Sequence, residues 1–243
     1  SMPSTSLTQF RRSEQYSAWL LAAPAVVLLA TFIVAPFFMS IGFSFTNQRL
    51  ISPLPTRFIG VENFRRLFGD PVFWRALGNN FLFSVAVVPV QTALALVLAI
   101  LVDRAGKGSN FFRMLYFMPV VVPMVVVSVI WYFMYNPSIG LINRFLETVS
   151  FGSVSDVRWL EDARLALPAI MILSIWQGVG FQMVIYLAGL QGIPHELYEA
   201  ARVDGATPLR QFWSVTLPQL KNTTIFIVVS TTILAFQLFV QVD

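Results

Sequence analysis

Very few side chains in this chain have the chemistry that catalysis requires, and their spacing excludes most of it. The string GKGS at 106–109 contains the glycine-lysine pair of a phosphate-binding loop. However, Leu101 occupies the place of that motif's first glycine, and Gly108 replaces the serine or threonine that must follow the lysine. The chain has no cysteine and one histidine, His195, so no thiolate nucleophile or cysteine metal site is available. We therefore expect no enzymatic activity, no metal and no cofactor bound by this chain.

The polar residues inside the long apolar segments are uncharged, and those that we consider for a solute site carry amides, tyrosine hydroxyls or indole rings. A polar group in a membrane segment usually faces a cavity or another helix, because an unpaired one is costly in hydrocarbon. Amides bond to hydroxyl groups and aromatic rings cover the apolar face of a sugar, so this set suits a neutral polyol better than a charged solute. The same residues could instead link helices through hydrogen bonds. The candidates are Asn79, Asn80, Gln91, Trp131, Tyr132, Tyr135, Trp176, Gln177, Gln182, Tyr186 and Gln237. From these we place Trp176, Gln177, Gln182, Tyr186 and Gln237 on a solute pathway.

A polar segment at 194–221, PHELYEAARVDGATPLRQFWSVTLPQLK, lies between two segments apolar enough to cross a bilayer. Its first half predicts a short helix, because Pro194 suits the first helical position, Glu199 suits the positive half of the helix dipole and Arg202 suits the other end. Gly205 is typical of the residue that ends such a helix. We expect His195, at the start of this segment, to be solvated at the helix terminus.

The second half of the segment predicts another helix, with Thr207 as its N-cap and Pro208 at its first position. Alanines at 200, 201 and 206 keep the outer surface small, so another protein could approach closely around the carboxylate of Glu199. We interpret 194–221 as a docking surface.

The order of residues in this segment resembles the EAA loop of permease subunits of ATP-binding-cassette importers. The matching positions are Glu199, Ala200, Ala201, Asp204, Gly205, Leu217 and Pro218. The longer run LAGLQGIPHELYEAARVDGA, 187–206, is similar to the version found in the binding-protein-dependent carbohydrate uptake family. The resemblance implies an all-α, polytopic bundle of the type I ABC importer permease kind in a prokaryotic plasma (inner) membrane.

That resemblance also implies a function and a set of partners. The chain would be one of two transmembrane subunits of a carbohydrate importer, and the matching positions would couple it to an ATPase. The implied partners are a second permease subunit, a dimer of ATP-binding cassette ATPases that holds ATP and Mg²⁺, an extracytoplasmic solute-binding protein and membrane lipid. No nucleic acid is expected, because the basic residues are scattered between apolar stretches.

The sequence leaves two other classes of function to consider. An ion- or proton-driven secondary carrier usually buries ionisable side chains in its spans, and the apolar stretches of this chain contain none. A membrane scaffold could recruit a soluble partner through 194–221, but it would have no use for an external binding protein.

The elements that must position these residues are membrane helices. With 56% hydrophobic and 12% charged residues, the chain departs from the roughly 45–50% apolar and about 25% charged residues of soluble proteins. Five stretches free of Asp, Glu, Lys, Arg and His can each hold the roughly 20 residues that a span needs. We place the helices near 17–44, 78–102, 113–135, 165–191 and 222–242. The resemblance implies six core helices, so we expect a sixth after Asp243 in the full protein.

The basic residues divide equally between the two sides of the membrane, so they do not fix the orientation. The orientation rests on the loop, which must face the cytosol if its partner hydrolyses ATP. Residues 1–16 would then form an N-terminal cytoplasmic segment and 17–243 a single transmembrane domain. The segments 45–77 and 136–164 would lie outside, and 103–110 inside. The mixture of aromatic and basic residues in 58–80 predicts an interfacial amphipathic helix, or a contact with an external binding protein.

Overall fold

The structure, a computed structural model, describes residues 18–48 and 55–237, and every structural statement below concerns these residues. Within them the chain is helical, and the only β-type pairing is an isolated bridge between Thr46 and Phe58. The predicted all-α class is confirmed. The predicted segment 1–16 and the end of the last span at 242 lie outside the described residues. Residues up to Arg75 and residues from Ala76 onward form two compact units, which are taken in turn.

The first unit contains one long apolar helix and one short polar one. Helix α1 covers Ala18–Ser44 and includes a wider π turn at Ala30–Val34, just before Pro36 removes a backbone donor. Helix α2 covers Glu62–Gly69. The side chain of Asn63 in α2 donates hydrogen bonds to the carbonyls of Ser44 and Thr46, both at 2.9 Å, and so ties α2 to the end of α1.

The predicted amphipathic helix at 58–80 is divided in the structure. Asp70 has an extended backbone and ends α2, and its carboxylate accepts a hydrogen bond from the Val72 amide at 2.8 Å. Helix α3, Pro71–Arg104, begins there, seven residues before the predicted start of the second span. A capping aspartate followed by proline at the first helical position explains this start.

The second unit contains the remaining helices. After α3 come a 3₁₀ turn at Gly106–Gly108, α4 (Ser109–Val121), α5 (Met124–Met134), α6 (Leu141–Val149) and α7 (Ala166–Gln191). The polar loop then forms α8 (His195–Val203) and α9 (Pro208–Gln219), and the last described helix is α10 (Lys221–Gln237). Three of the helices, α1, α3 and α7, are long and apolar enough to cross a membrane.

Two further spans exist if each of two bent helix pairs is counted as one. Helices α4 and α5 meet at 97°, and α9 and α10 meet at 65°. The prediction of one continuous helix at 113–135 is therefore wrong: Val122 is extended, because the residue before a proline is pushed out of the helical region, and Pro123 caps α5. The second bend falls at Leu220, between α9 and α10.

The helices of the second unit pack through small residues. Ala95 and Ala99 of α3 and Met183 of α7 are fully buried in the largest apolar cluster, which also includes Ile227 of α10. At Gly180 of α7, an added Cβ would overlap the carbonyl of Tyr116 in α4, so only glycine allows the two backbones to approach so closely. This packing places polar faces of α3, α7 and α10 opposite one another.

Candidate functional site

A cavity of about 460 Å³ lies between α3, α7 and α10, with contributions from α4 and α5. Helical spacing brings its lining together: Phe83, Val87 and Gln91 are each four residues apart on α3 and share one face. The polar residues of the lining are Gln91, Ser174, Gln177, Gln182, Ser230, Thr231 and Gln237. None of the described residues that line the cavity carries a charge.

Two oxygen atoms on this lining have no hydrogen-bond partner among the described residues. The side chain of Gln182, which is 3% exposed, donates to the Thr231 hydroxyl at 2.6 Å, but its own Oε1 accepts nothing. The Oγ of Ser174 on the same helix is also buried and unpaired. A buried acceptor without a partner is costly. Both residues line the cavity, but these two oxygens are themselves covered by neighbouring atoms.

Three of the five predicted pathway residues, Gln177, Gln182 and Gln237, line the cavity, and two do not. Trp176 lies beside Trp131 of α5, with ring centroids 5.5 Å apart in an edge-to-face arrangement. Tyr186 is completely buried, and its hydroxyl donates to Thr224 of α10 at 3.1 Å. In this structure Tyr186 links two helices.

The sequence reasoning did not select the three hydroxyl residues of the lining. Serine and threonine are common in apolar helices, where they bond to their own backbone, so their type alone gives no signal. Their spacing gives a signal, because Ser174 precedes Gln177 by one helical turn and Ser230 precedes Gln237 by two turns, so each pair shares one helix face. Thr231 is identified only through its bond to Gln182.

The polar loop has well-defined helix ends. The amide of Gly205 donates to the Arg202 carbonyl at 3.0 Å, and the amide of Ala206 donates to the Ala201 carbonyl at 2.9 Å. With Gly205 at φ +74°, this is a Schellman motif with glycine in its left-handed position. Thr207 caps α9 as predicted. Pro194 is the N-cap of α8 and not its first helical residue, since its backbone is still extended.

The two helices of the loop are joined to each other, and one buried side chain packs against the core. The Tyr198 hydroxyl of α8 lies 2.9 Å from the Thr216 hydroxyl of α9, and the Gln211 side-chain amide donates to the Ala206 carbonyl at 2.9 Å. Leu220, at the end of the loop, is 1% exposed and packs beside Gly189 of α7. These contacts link α8 to α9 and the end of the loop to α7.

The outer surface of the loop carries both acidic and apolar side chains. Glu199, Ala200 and Asp204 are exposed, and Ala201 is half-buried. Val203 is 87% exposed and Trp213 is 61% exposed. The remaining predicted positions follow at the end of α9, where Leu217 is half-buried and Pro218 is exposed. Such a mixed surface suits a protein partner.

A second cavity, of about 480 Å³, lies between the end of α3 and the loop. Asp103 and Arg104 line one side of it, and His195 and Tyr198 line the other. His195 is exposed, as expected for a residue at a helix terminus.

Comparison with known proteins gives a consistent result. Residues 91–243 match the family described as "Binding-protein-dependent transport system inner membrane component". The chain is 40% identical over 223 residues to a probable ABC transporter permease protein, YurN, of Bacillus subtilis, and this match covers 91% of the chain and 75% of YurN. It is 34% identical over 243 residues to the lactose transport system permease protein LacF of Rhizobium radiobacter, covering 99% of the chain and 80% of LacF.

Other similar proteins extend this result. The diacetylchitobiose uptake system permease protein NgcF of Streptomyces coelicolor is 35% identical over 206 residues, covering 81% of the chain and 58% of NgcF. Among solved structures, a bacterial ABC transporter for import of the acidic polysaccharide alginate superposes with a TM-score of 0.74 at 24% identity, covering 92% of the chain and 73% of that chain. At this identity the likeness concerns the fold.

Proposed function

Because this chain belongs to the family of binding-protein-dependent transport system inner membrane components, a family of multi-pass transport subunits, we propose that it is one of two transmembrane subunits of an ATP-driven sugar importer. Permeases named for lactose and diacetylchitobiose are among the proteins most similar to it over most of its length. Their names support a saccharide as the solute of this chain.

The observation that carries the proposal is the uncharged cavity between α3, α7 and α10. A sugar presents hydroxyl groups and an apolar ring face, and the cavity is lined by uncharged polar side chains such as Gln177 and Ser230 beside apolar ones such as Phe181. A secondary carrier would need an ionisable group for its coupling ion, and the described lining provides none. The geometry therefore favours an importer whose energy comes from a partner.

We place the coupling to that partner at α8. The ATPase subunit would hold α8 in a groove, and a basic group there would donate hydrogen bonds to the exposed carboxylate of Glu199. Ala200 and Ala201 would allow close approach, and Asp204 with Gly205 would fix the end of the helix. The bond of Tyr198 to Thr216 of α9 and the packing of Leu220 beside Gly189 would carry rotation of α8 into α7 and α10 when two ATPases close on ATP.

This arrangement implies an orientation and a set of partners. The loop and the N-terminus would lie in the cytosol, and ATP with Mg²⁺ would bind to the ATPase dimer. A second permease subunit would complete the pathway. An extracytoplasmic binding protein would deliver the sugar on the opposite side. A solved structure of similar fold, an alginate ABC transporter in complex with an alginate pentasaccharide-bound periplasmic protein, supports this proposal.

The coupling is tested with two substitutions in the full transporter, reconstituted in liposomes. Glu199→Arg reverses the charge at the proposed contact, and Gly205→Pro is incompatible with φ +74°. We expect both variants to insert normally but to lose sugar uptake and the ATP hydrolysis that the loaded binding protein stimulates. Glu196→Arg, one turn earlier on the same exposed helix, is the matched control and should transport. Normal uptake by both test variants would reject the coupling role.

A further inference from the structure

Helix α6 presents a face that no described part of the chain covers. Leu141, Phe145 and Val149 recur every four residues, so they form one stripe along the helix. Their exposed fractions are 67%, 67% and 60%. Ile139, two residues before the helix, is 62% exposed, and Phe151, two residues after it, is 97% exposed. We call the three helical residues together with Phe151 the α6 stripe.

The orientation of the α6 stripe is fixed by one buried amide on the other side of the helix. Asn143 is 5% exposed, and its Nδ2 donates to the carbonyls of Pro137 and Val157 at 3.0 and 2.9 Å. Its Oδ1 accepts a hydrogen bond from the Trp159 indole at 2.8 Å. Residues two positions apart on a helix point in nearly opposite directions. The three bonds of Asn143 therefore hold Leu141 and Phe145 outward.

Phe151 occupies a strained position. The amide of Gly152 donates to the Glu147 carbonyl at 2.8 Å and the amide of Phe151 to the Thr148 carbonyl at 3.4 Å, which is the same Schellman pattern that ends α8. At α8 the left-handed position holds Gly205, but at α6 it holds Phe151 at φ +53°. A large side chain is unfavourable there, and such strain is retained where the side chain has a use.

The position of α6 in the chain indicates what covers the stripe. It follows α5 directly, and the exposed apolar surface of α5, which includes Ile130 and Phe133, continues along the chain through Ile139 into the stripe. On the membrane-spanning helices, lipid covers exposed apolar surface of this kind. The remaining exposed face of α6 carries the charged residues Arg144 and Glu147, so the helix has the division into apolar and charged faces that is typical of helices lying in a membrane interface.

We propose that α6 is an in-plane membrane helix whose α6 stripe, including Phe151, inserts between lipid headgroups and reaches the acyl chains. A contact with a binding protein must form and dissociate in water, and such transient interfaces are only about as apolar as ordinary protein surface. The α6 stripe consists of large apolar side chains alone. The lipid contact holds the segment between α5 and α7 at the membrane surface, and it requires neither solute nor ATP.

The absence of cysteine in the sequence makes the test direct. Single substitutions Phe145→Cys and Phe151→Cys, each in the full-length protein, are spin-labelled and reconstituted in liposomes of phosphatidylcholine and phosphatidylglycerol. Collision rates with oxygen, which concentrates in lipid, and with a water-soluble nickel chelate are then measured. Glu147→Cys and Arg144→Cys on the charged face are the matched controls.

We expect the ratio of oxygen to nickel collisions at both test positions to exceed that at both controls severalfold. Equal ratios at Phe145 and Glu147 would overturn the proposal. So would nickel access at Phe145 that disappears only when an external binding protein is added, because that result assigns the stripe to a protein partner. The measurement requires neither an ATPase nor transport, so its result is independent of whether the proposed importer function is correct.

A second variant separates lipid contact from helix capping at Phe151. Phe151→Gly places the favoured residue in the left-handed position, so the protein in detergent should melt at the same or a higher temperature. In a second experiment, the protein carries the spin label at Val149→Cys and is reconstituted in liposomes. Adding Phe151→Gly should then raise the collision rate of this label with the nickel chelate, because the contact of Phe151 with lipid is lost. Unchanged nickel access would show that Phe151 does not hold α6 in the membrane.

Discussion

Polar residues of α7 differ in whether they line the cavity. Gln182 and Ser174 do, although the Gln182 side chain also bonds to Thr231 of α10. Tyr186 is buried outside the lining, with its hydroxyl bonded to Thr224. All three are polar residues in one apolar helix, and their types do not predict this difference.

Ser174→Ala tests the solute role without breaking a bond within the protein. Because Ser174 Oγ has no described partner, its removal should leave thermal stability unchanged or slightly increased. If the hydroxyl contacts sugar, the loss of about 0.5–1.5 kcal/mol should raise the apparent KM for uptake roughly two- to tenfold. Tyr186→Phe is the control and should lower the melting temperature while leaving KM unchanged. An unchanged KM for Ser174→Ala would remove this residue from the pathway.

Gly180 tests the close contact between α4 and α7. An added methyl group would overlap the Tyr116 carbonyl, so Gly180→Ala should destabilise the protein by about 1–3 kcal/mol, as overpacking does. Gly78→Ala in α3 is the matched control, because its Cβ would meet open space. Thermal unfolding in detergent measures both. A Gly180→Ala variant as stable as the control would mean that the helices separate without cost.

At the scale of elements, two breaks matter most. The 97° bend at Val122–Pro123 turns α5 away from α4, and the 65° bend at Leu220 turns the loop away from α10. The first follows from proline chemistry. The second follows from packing, since Leu220 is buried beside α7. Together they direct the polar loop and the α5–α6 segment away from the axes of the spans.

The link between α8 and α9 is tested by removing one hydroxyl. Tyr198→Phe deletes the bond to Thr216, worth about 0.5–1.5 kcal/mol, and loosens α8 from α9. We expect sugar uptake per ATP hydrolysed to fall severalfold while membrane insertion stays normal. Tyr132→Phe, whose ring is 61% exposed on α5, should behave as the unmodified protein. An unchanged ratio of uptake to hydrolysis would show that α8 moves independently of this bond.

At the scale of the whole molecule, the proposed function requires an assembly. The full-length protein, tagged and purified from its native membrane in mild detergent, should carry a second permease and an ATPase with a phosphate-binding loop, identified by mass spectrometry. Glu199→Arg should lose the ATPase and keep the second permease. A chain that purifies alone and still moves solute in liposomes would instead be a self-sufficient carrier.

The sequence by itself determined the membrane class, the approximate spans and the two-helix form of the polar loop. Runs of about 20 apolar residues must cross a bilayer, and the order of residues from Glu199 to Pro218 resembles one family, whose membership is confirmed by the match over residues 91–243. Caps such as Thr207 and Gly205 were predictable because their effects are local. The roles assigned to the loop and to the pathway residues stay predictions.

Only the tertiary structure decided which polar residues share a cavity and which join helices. Gln177, Gln182 and Gln237 line one cavity because α7 and α10 turn those faces toward each other, while the neighbouring Trp176 and Tyr186 point elsewhere. The rotation of each helix depends on contacts with residues distant in sequence, such as Gly180 against Tyr116. The hydropathy of a span does not predict those contacts, because nearly every residue of the span is apolar whichever way it faces.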